Sequence, residues 1–184
     1  MDALTTLEIP VLELPAAVTL DDAYAQIEAL GLATGRSEQA AAVAEQTEER
    51  IAAAIASVSA SAQGLSVYHE LDPTFYSVTS DTFLGSIYTA FGLVNIADEA
   101  TDASGGYPQL SAEFIVTQAP DLIVLADTKC CQQSAATLAE RPGFAEVPAI
   151  VNGRVVEADD DIASRLGPRT ADFAEAIAKE LAEQ

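Results

Sequence analysis

The chain has 184 residues, 29 of them acidic against 8 basic, for a formal net charge of −21. That length suits one domain, with room for an appendage, and permits a sizeable core. The acid surplus repels nucleic acid and anionic lipid headgroups, which excludes both as partners. It leaves a cationic ligand, a basic docking partner, or simple compositional drift.

No apolar run reaches the length of a membrane span. The opening MDALTTLEIP has neither the basic nor the apolar region of an export signal. Cys130 and Cys131 are adjacent and His69 is the single histidine. Zinc spacing is therefore absent, and no disulfide framework exists beyond a vicinal ring or an intermolecular bridge.

In chain order, residues 8–14 read as a short buried strand ended by Pro15. Thr19 caps a helix through Leu30, with Asp21 and Asp22 in its first turn and Gly31 just past its end. Ser37 to Ala62 follows without Pro or Gly, rich in Ala, Glu and Gln, capped by Ser37 and closed by Gln63-Gly64. Val43, Thr47, Ile51, Ile55 and Val58 share one face of it, and at 1.5 Å per residue it extends about 39 Å. Two readings fit this helix: a long surface helix of an α/β domain, or a rigid spine joining two lobes.

Beyond it, strands and helices alternate. Residues 65–69 are a strand, 82–91 a helix, 93–96 a strand, and Ser111 caps a short helix ended before Pro120. The apolar run 121–126 is the strongest strand signal, of the type buried on both faces. Residues 133–140 are weakly helical, and 149–157 read as a hairpin about Asn152-Gly153. Pro168 opens a terminal helix carrying Phe173, Ile177 and Leu181. This alternation predicts an α/β domain with a largely parallel sheet.

In such a sheet, ligands bind at the carboxyl ends of the strands. The loops there carry aromatic residues (Phe75, Tyr76, Tyr107) amid polar ones (Ser80, Asp81, Thr82, Lys129, Arg165), a mixture suited to a flat or hydrophobic ligand. No phosphate loop, nucleophile elbow or spaced carboxylate pair is present.

The stretches VYHELDPTFYSVTSDTFLGSIYTAFGLVNIAD, YPQLSAEFIVTQAPDLIVLAD and VNGRVVEADDDIASRLGPRTADFAEAIAKEL together resemble the helical-backbone (class III) substrate-binding proteins of ABC importers for cobalamin, ferric siderophores or haem. The resemblance implies the C-terminal lobe of a two-lobed fold at 64–184, a connecting helix at 37–63, and a remnant of the N-terminal lobe at 1–36. It places Phe75, Tyr76, Ser80, Asp81, Thr82, Tyr107, Lys129 and Arg165 beside a ligand cleft, and Glu113 on the surface that meets a membrane permease. It implies a small-molecule chelate as ligand, no catalytic residues, no cofactor, no metal ligands, and an exported or lipid-anchored location. Against that pattern, roughly the first half of the N-terminal lobe is lacking and the TKCC segment is unusual.

Cys130 and Cys131 are expected at the cleft, as a vicinal disulfide in an oxidising compartment or as free thiols in the cytosol. A strand at 8–14 without neighbours would seek pairing, so a homodimer is a further expectation. A second class of function stays open: a small thiol-dependent redox enzyme in which Lys129 activates Cys130 or Cys131. A third is an interaction domain without a small-molecule ligand.

Overall fold

A computed structural model describes residue 4, residues 6–101 and residues 104–182. Helix α1 (Leu20–Ala33) begins at a capping box, in which the Thr19 hydroxyl accepts from the Asp22 amide and the Asp22 carboxylate accepts from the Thr19 amide. Helix α2 (Ser37–Ala62) has the length expected, with Arg36 rather than Ser37 at its N-cap and no side-chain cap bond. Its buried face is lined by Ala40, Ala44, Thr47, Ile51, Ala54, Val58 and Ala62, whereas Val43 and Ile55 are only half-buried. Alanine at four of seven contact positions lets the helices approach closely. A Cβ placed on Gly31 of α1 would lie 2.1 Å from the Ala40 Cβ.

Four strands follow: β1 (Ser66–Glu70), β2 (Val94–Asn95), β3 (Leu122–Leu125) and β4 (Val155–Glu157). They form one parallel sheet in the order β2-β1-β3-β4. Between them lie α3 (Phe83–Ala90), α4 (Ala112–Gln118), α5 (Ala135–Ala139) and α6 (Pro148–Val151), with α7 (Asp160–Ala163) and α8 (Thr170–Ala182) closing the chain. Side chains alternate across the sheet with the two-residue period of a strand. Val67, Leu122, Val124 and Val156 pack with residues of α2, α3 and α8, while Tyr68, Ile123, Leu125 and Val155 pack with residues of α4 and α5 and with Phe144. This is the α/β fold expected, a parallel sheet covered by helices on both faces.

Helix α1 runs through Gly31, expected just past its end, to Ala33. Three further local expectations fail. Residues 8–14 form no strand; they run irregularly and hold to α1 through the Pro15 carbonyl, which accepts from Gln26 Nε2 at 2.6 Å. Residues 149–157 form no hairpin. Pro148 instead starts the short helix α6, Gly153 turns the chain at φ 70°, and β4 pairs in parallel with β3. Pro's fixed φ and missing donor suit a first helical position, and this outweighs the turn signal of Asn-Gly. Pro168 lies in the turn before α8, which starts at Thr170.

Gly85, in the first turn of α3, sits where a Cβ would come 2.0 Å from the Thr79 carbonyl oxygen. Backbone cannot yield there cheaply, so Gly85→Ala should lower unfolding stability by about 1–3 kcal/mol. A thermal melt followed by circular dichroism measures it, and an unchanged midpoint would show that the 79–82 turn gives way.

Candidate ligand-binding cleft

Parallel pairing brings every strand's carboxyl end to one edge of the sheet. Four segments from that edge build one wall of a cleft of about 310 Å³: Leu71 after β1, Phe83 and Leu84 in the first turn of α3, Tyr107 in the loop after β2, and Ser164 and Leu166 in the loop after β4. Pro15, Ala16 and Ala17 from the N-terminal segment and Gln26 of α1 build the other. A second cleft of similar size, lined by Glu99–Thr101, Gln109–Ser111 and Phe114, lies beside the N-terminus of α4. The first is the better ligand site, because loops from three strands and the N-terminal segment converge on it.

The loop after β1 is fastened to the loop after β2. The Leu110 amide donates to the Phe75 carbonyl, Ser77 to Pro108, and Thr79 to Gly106. Ser80 donates both its amide and its hydroxyl to the Asp98 carboxylate, at 2.7 Å each. The Thr82 hydroxyl accepts from the Gly85 amide at 3.1 Å and caps α3.

Of the residues singled out in the sequence, Tyr107 alone lines the cleft. Thr82 is buried in its cap, and Ser80 is committed to Asp98. Phe75 turns toward the opposite face of the sheet, stacking on Phe144 with ring centroids 6.3 Å apart and lying under the Arg141 guanidinium. Tyr76 is exposed and pairs by backbone with Gln109, and Asp81 is exposed. Lys129 is in an ion pair with Asp159, and Arg165 with Asp161 at 3.1 Å. The Asp160 carboxylate accepts from the Lys129 and Cys130 amides at 2.9 and 2.7 Å and from the Thr128 hydroxyl at 3.1 Å, tying the β3 loop to the β4 loop. Cys130 and Cys131 in that loop are joined as a vicinal disulfide. Glu113 is exposed in the first turn of α4, behind the Ser111 cap, with no ion pair among the described residues.

Sequence reasoning missed the apolar lining (Leu71, Phe83, Leu84, Leu166) because such residues read equally as core. It also missed a buried charged cluster behind the strand ends. Arg141 holds the fully buried Glu70 by two bonds of 2.6 and 2.7 Å, with the Tyr68 hydroxyl donating at 3.0 Å. Asp127 is equally buried, and among the described residues no donor reaches either of its oxygens. Burial and the neighbouring Glu70 charge push its carboxyl up to about 7, opposed by Arg141. On the other face of the sheet, His69 Nδ1 meets the Tyr88 hydroxyl at 2.5 Å, and burial lowers its pKa to about 3.

A model of the periplasmic binding protein family matches residues 2–162 of this chain. The chain belongs to that family. An uncharacterized ABC transporter substrate-binding lipoprotein of Bacillus subtilis, YvrC, is 28% identical over 181 residues, covering 94% of this chain and 54% of that protein. A cobalamin-binding protein of Halobacterium salinarum is 30% identical over 165 residues, covering 88% of this chain and 44% of its own length. The chain thus spans about half the length of the curated relatives it matches. Among solved structures, the periplasmic haem-binding protein RhuT from Roseiflexus sp. RS-1 superposes with a TM-score of 0.82 at 22% identity, over 100% of this chain and 71% of that one. The periplasmic binding protein fold is therefore established for this chain.

Two buried groups pull the pH dependence of stability in opposite directions. His69, depressed in the fold, adds stability above pH 6.5 that is lost as pH falls toward about 3. Asp127, raised in the fold, adds stability below pH 3.8 that is lost as pH rises toward about 7. Their slopes oppose each other between these limits. Asp127→Asn should therefore make stability rise with pH more steeply across that window than in the wild type. Urea unfolding at several pH values measures this, and parallel profiles for the two proteins would show that Asp127 titrates normally.

Proposed function

We propose that this chain is the solute-capturing part of an ABC importer, taking up a metal chelate of the corrinoid, haem or ferric-siderophore type. The observation that carries the reading is the apolar cleft at the carboxyl edge of the parallel sheet, in a chain of the periplasmic binding protein family. Residues 64–184 are then a C-terminal lobe, 37–63 the connecting helix and 1–36 a portion of the other lobe. The location is extracytoplasmic, reached by export or lipid anchoring, and the partner is a membrane permease. The protein binds and delivers rather than catalyses: Lys129, the cation nearest the cysteines in sequence, is already engaged by Asp159.

Calorimetric titration with cyanocobalamin, haemin and a ferric hydroxamate tests the reading. At least one should bind, and Tyr107→Ala should weaken that binding by about tenfold without moving the thermal midpoint. Silence from all three would remove the reading.

Glu113 serves docking in this proposal. An exposed carboxylate at a helix start is free to meet a cationic side chain of the permease in a charge-assisted contact. Glu113→Ala should leave chelate affinity intact and reduce uptake in cells that depend on this protein. Full uptake with the variant would exclude that role.

A further inference from the structure

Resting on the chelate-binding reading, we infer that the cleft selects neutral or cationic metal complexes and rejects anionic ones. Every side chain lining it, among the described residues, is uncharged: aliphatic at Leu71, Leu84 and Leu166, aromatic at Phe83 and Tyr107, amide at Gln26. An anionic chelate entering this space would give up its hydration without meeting a cation in the lining.

The basic residues of the surrounding loops do not supply one. Lys129 is held by Asp159, Arg165 by Asp161, and the charge of Arg169 also acts on Asp159. Arg141 lies behind the sheet with both terminal nitrogens on Glu70, and Arg50 bridges α2 to Asp172 and Glu175 of α8. Lys129 and Arg165 stand in solvent-exposed ion pairs, so a carboxylate or catecholate would have to compete with a carboxylate already in place before recruiting either. The wider field acts in the same direction. The chain carries a net charge of −21, and Asp72 and Asp81 lie within two residues of the lining positions Leu71 and Phe83. Such a potential attracts a cationic complex, leaves a neutral one indifferent and repels an anion. The acidic N-terminus of α7 (residues 159–161) thus acts as a selectivity element: it pairs Lys129 and Arg165, which would otherwise recruit anionic ligands.

The test is calorimetric titration of this protein with probes differing in charge: neutral cyanocobalamin, cationic ferrioxamine B, an anionic ferric tricatecholate and haemin with its two propionates. The neutral or the cationic probe should bind at least about tenfold tighter than either anion. Added salt should weaken cationic binding and narrow the gap. Asp159→Asn with Asp161→Asn keeps an amide cap at α7 but frees Lys129 and Arg165, and should raise anion affinity by roughly tenfold. Anionic probes binding as tightly as the others, or a double variant with unchanged anion affinity, would overturn the inference and leave the chelate reading standing. Binding of no probe would overturn both.

Discussion

The structure depends on one stretch of parallel pairing. β1 and β3 lie in a register that sets Val67 opposite Leu122 and Glu70 opposite Leu125, and both strands are buried on both faces. Because the bonds of a parallel ladder are evenly spaced, this register makes the two strands end level. β4 ends level too, with Glu157 opposite Leu125. Their loops therefore leave the sheet at one edge, close enough to be bonded to each other. Asp160 reaching the Lys129 and Cys130 amides is a direct result of that alignment. A ladder so buried also turns alternate side chains into two separate cores, and it carries Glu70 and His69 into the interior on opposite faces.

Much of this architecture was legible in the sequence, and for identifiable reasons. The helix from Ser37 to Ala62 lacks any breaker, and the run 121–126 is too apolar and too short for anything but a doubly covered strand. Caps at Thr19 and Ser111 were legible because a hydroxyl just before an apolar run has a local partner three residues on. The failures share a cause as well. Residues 8–14 have the composition of a strand, yet strand formation is a property of neighbours, and none of the described segments pairs with them. Residues 149–157 carry strong turn and strand signals, but β3 offered β4 a buried parallel partner, which local turn chemistry cannot anticipate.

The site was less legible than the fold. Loop position correctly marked the carboxyl edge, but not which way each side chain would point. Phe75 adopts a left-handed φ of 69° and goes to the far face of the sheet, a choice set by the stacking offered by Phe144 and Arg141, residues about seventy positions away. Lys129 and Arg165 looked like ligand contacts because cations in loops often are. The pairing of Lys129 with Asp159 required knowing how the β3 and β4 loops face one another, whereas Arg165 meets Asp161 four residues back in its own segment. The Glu70–Arg141 pair left no trace at all, since a lone Glu at a strand end and a lone Arg before Pro142 are common surface residues.

The alanine-rich face of α2 carries a mechanical consequence. Alanine has no rotamers to reorder, so the alanine positions at which α2 packs cost no side-chain entropy. By the same token it offers no conformational slack where α1 crosses α2: at Gly31 and Ala40 there is no long side chain to repack when one helix slides past the other. Displacement of α1 along α2 at that crossing is therefore stiff, and the wall of the cleft that α1 carries through Gln26 is held in place by backbone proximity and not by interlocking side chains.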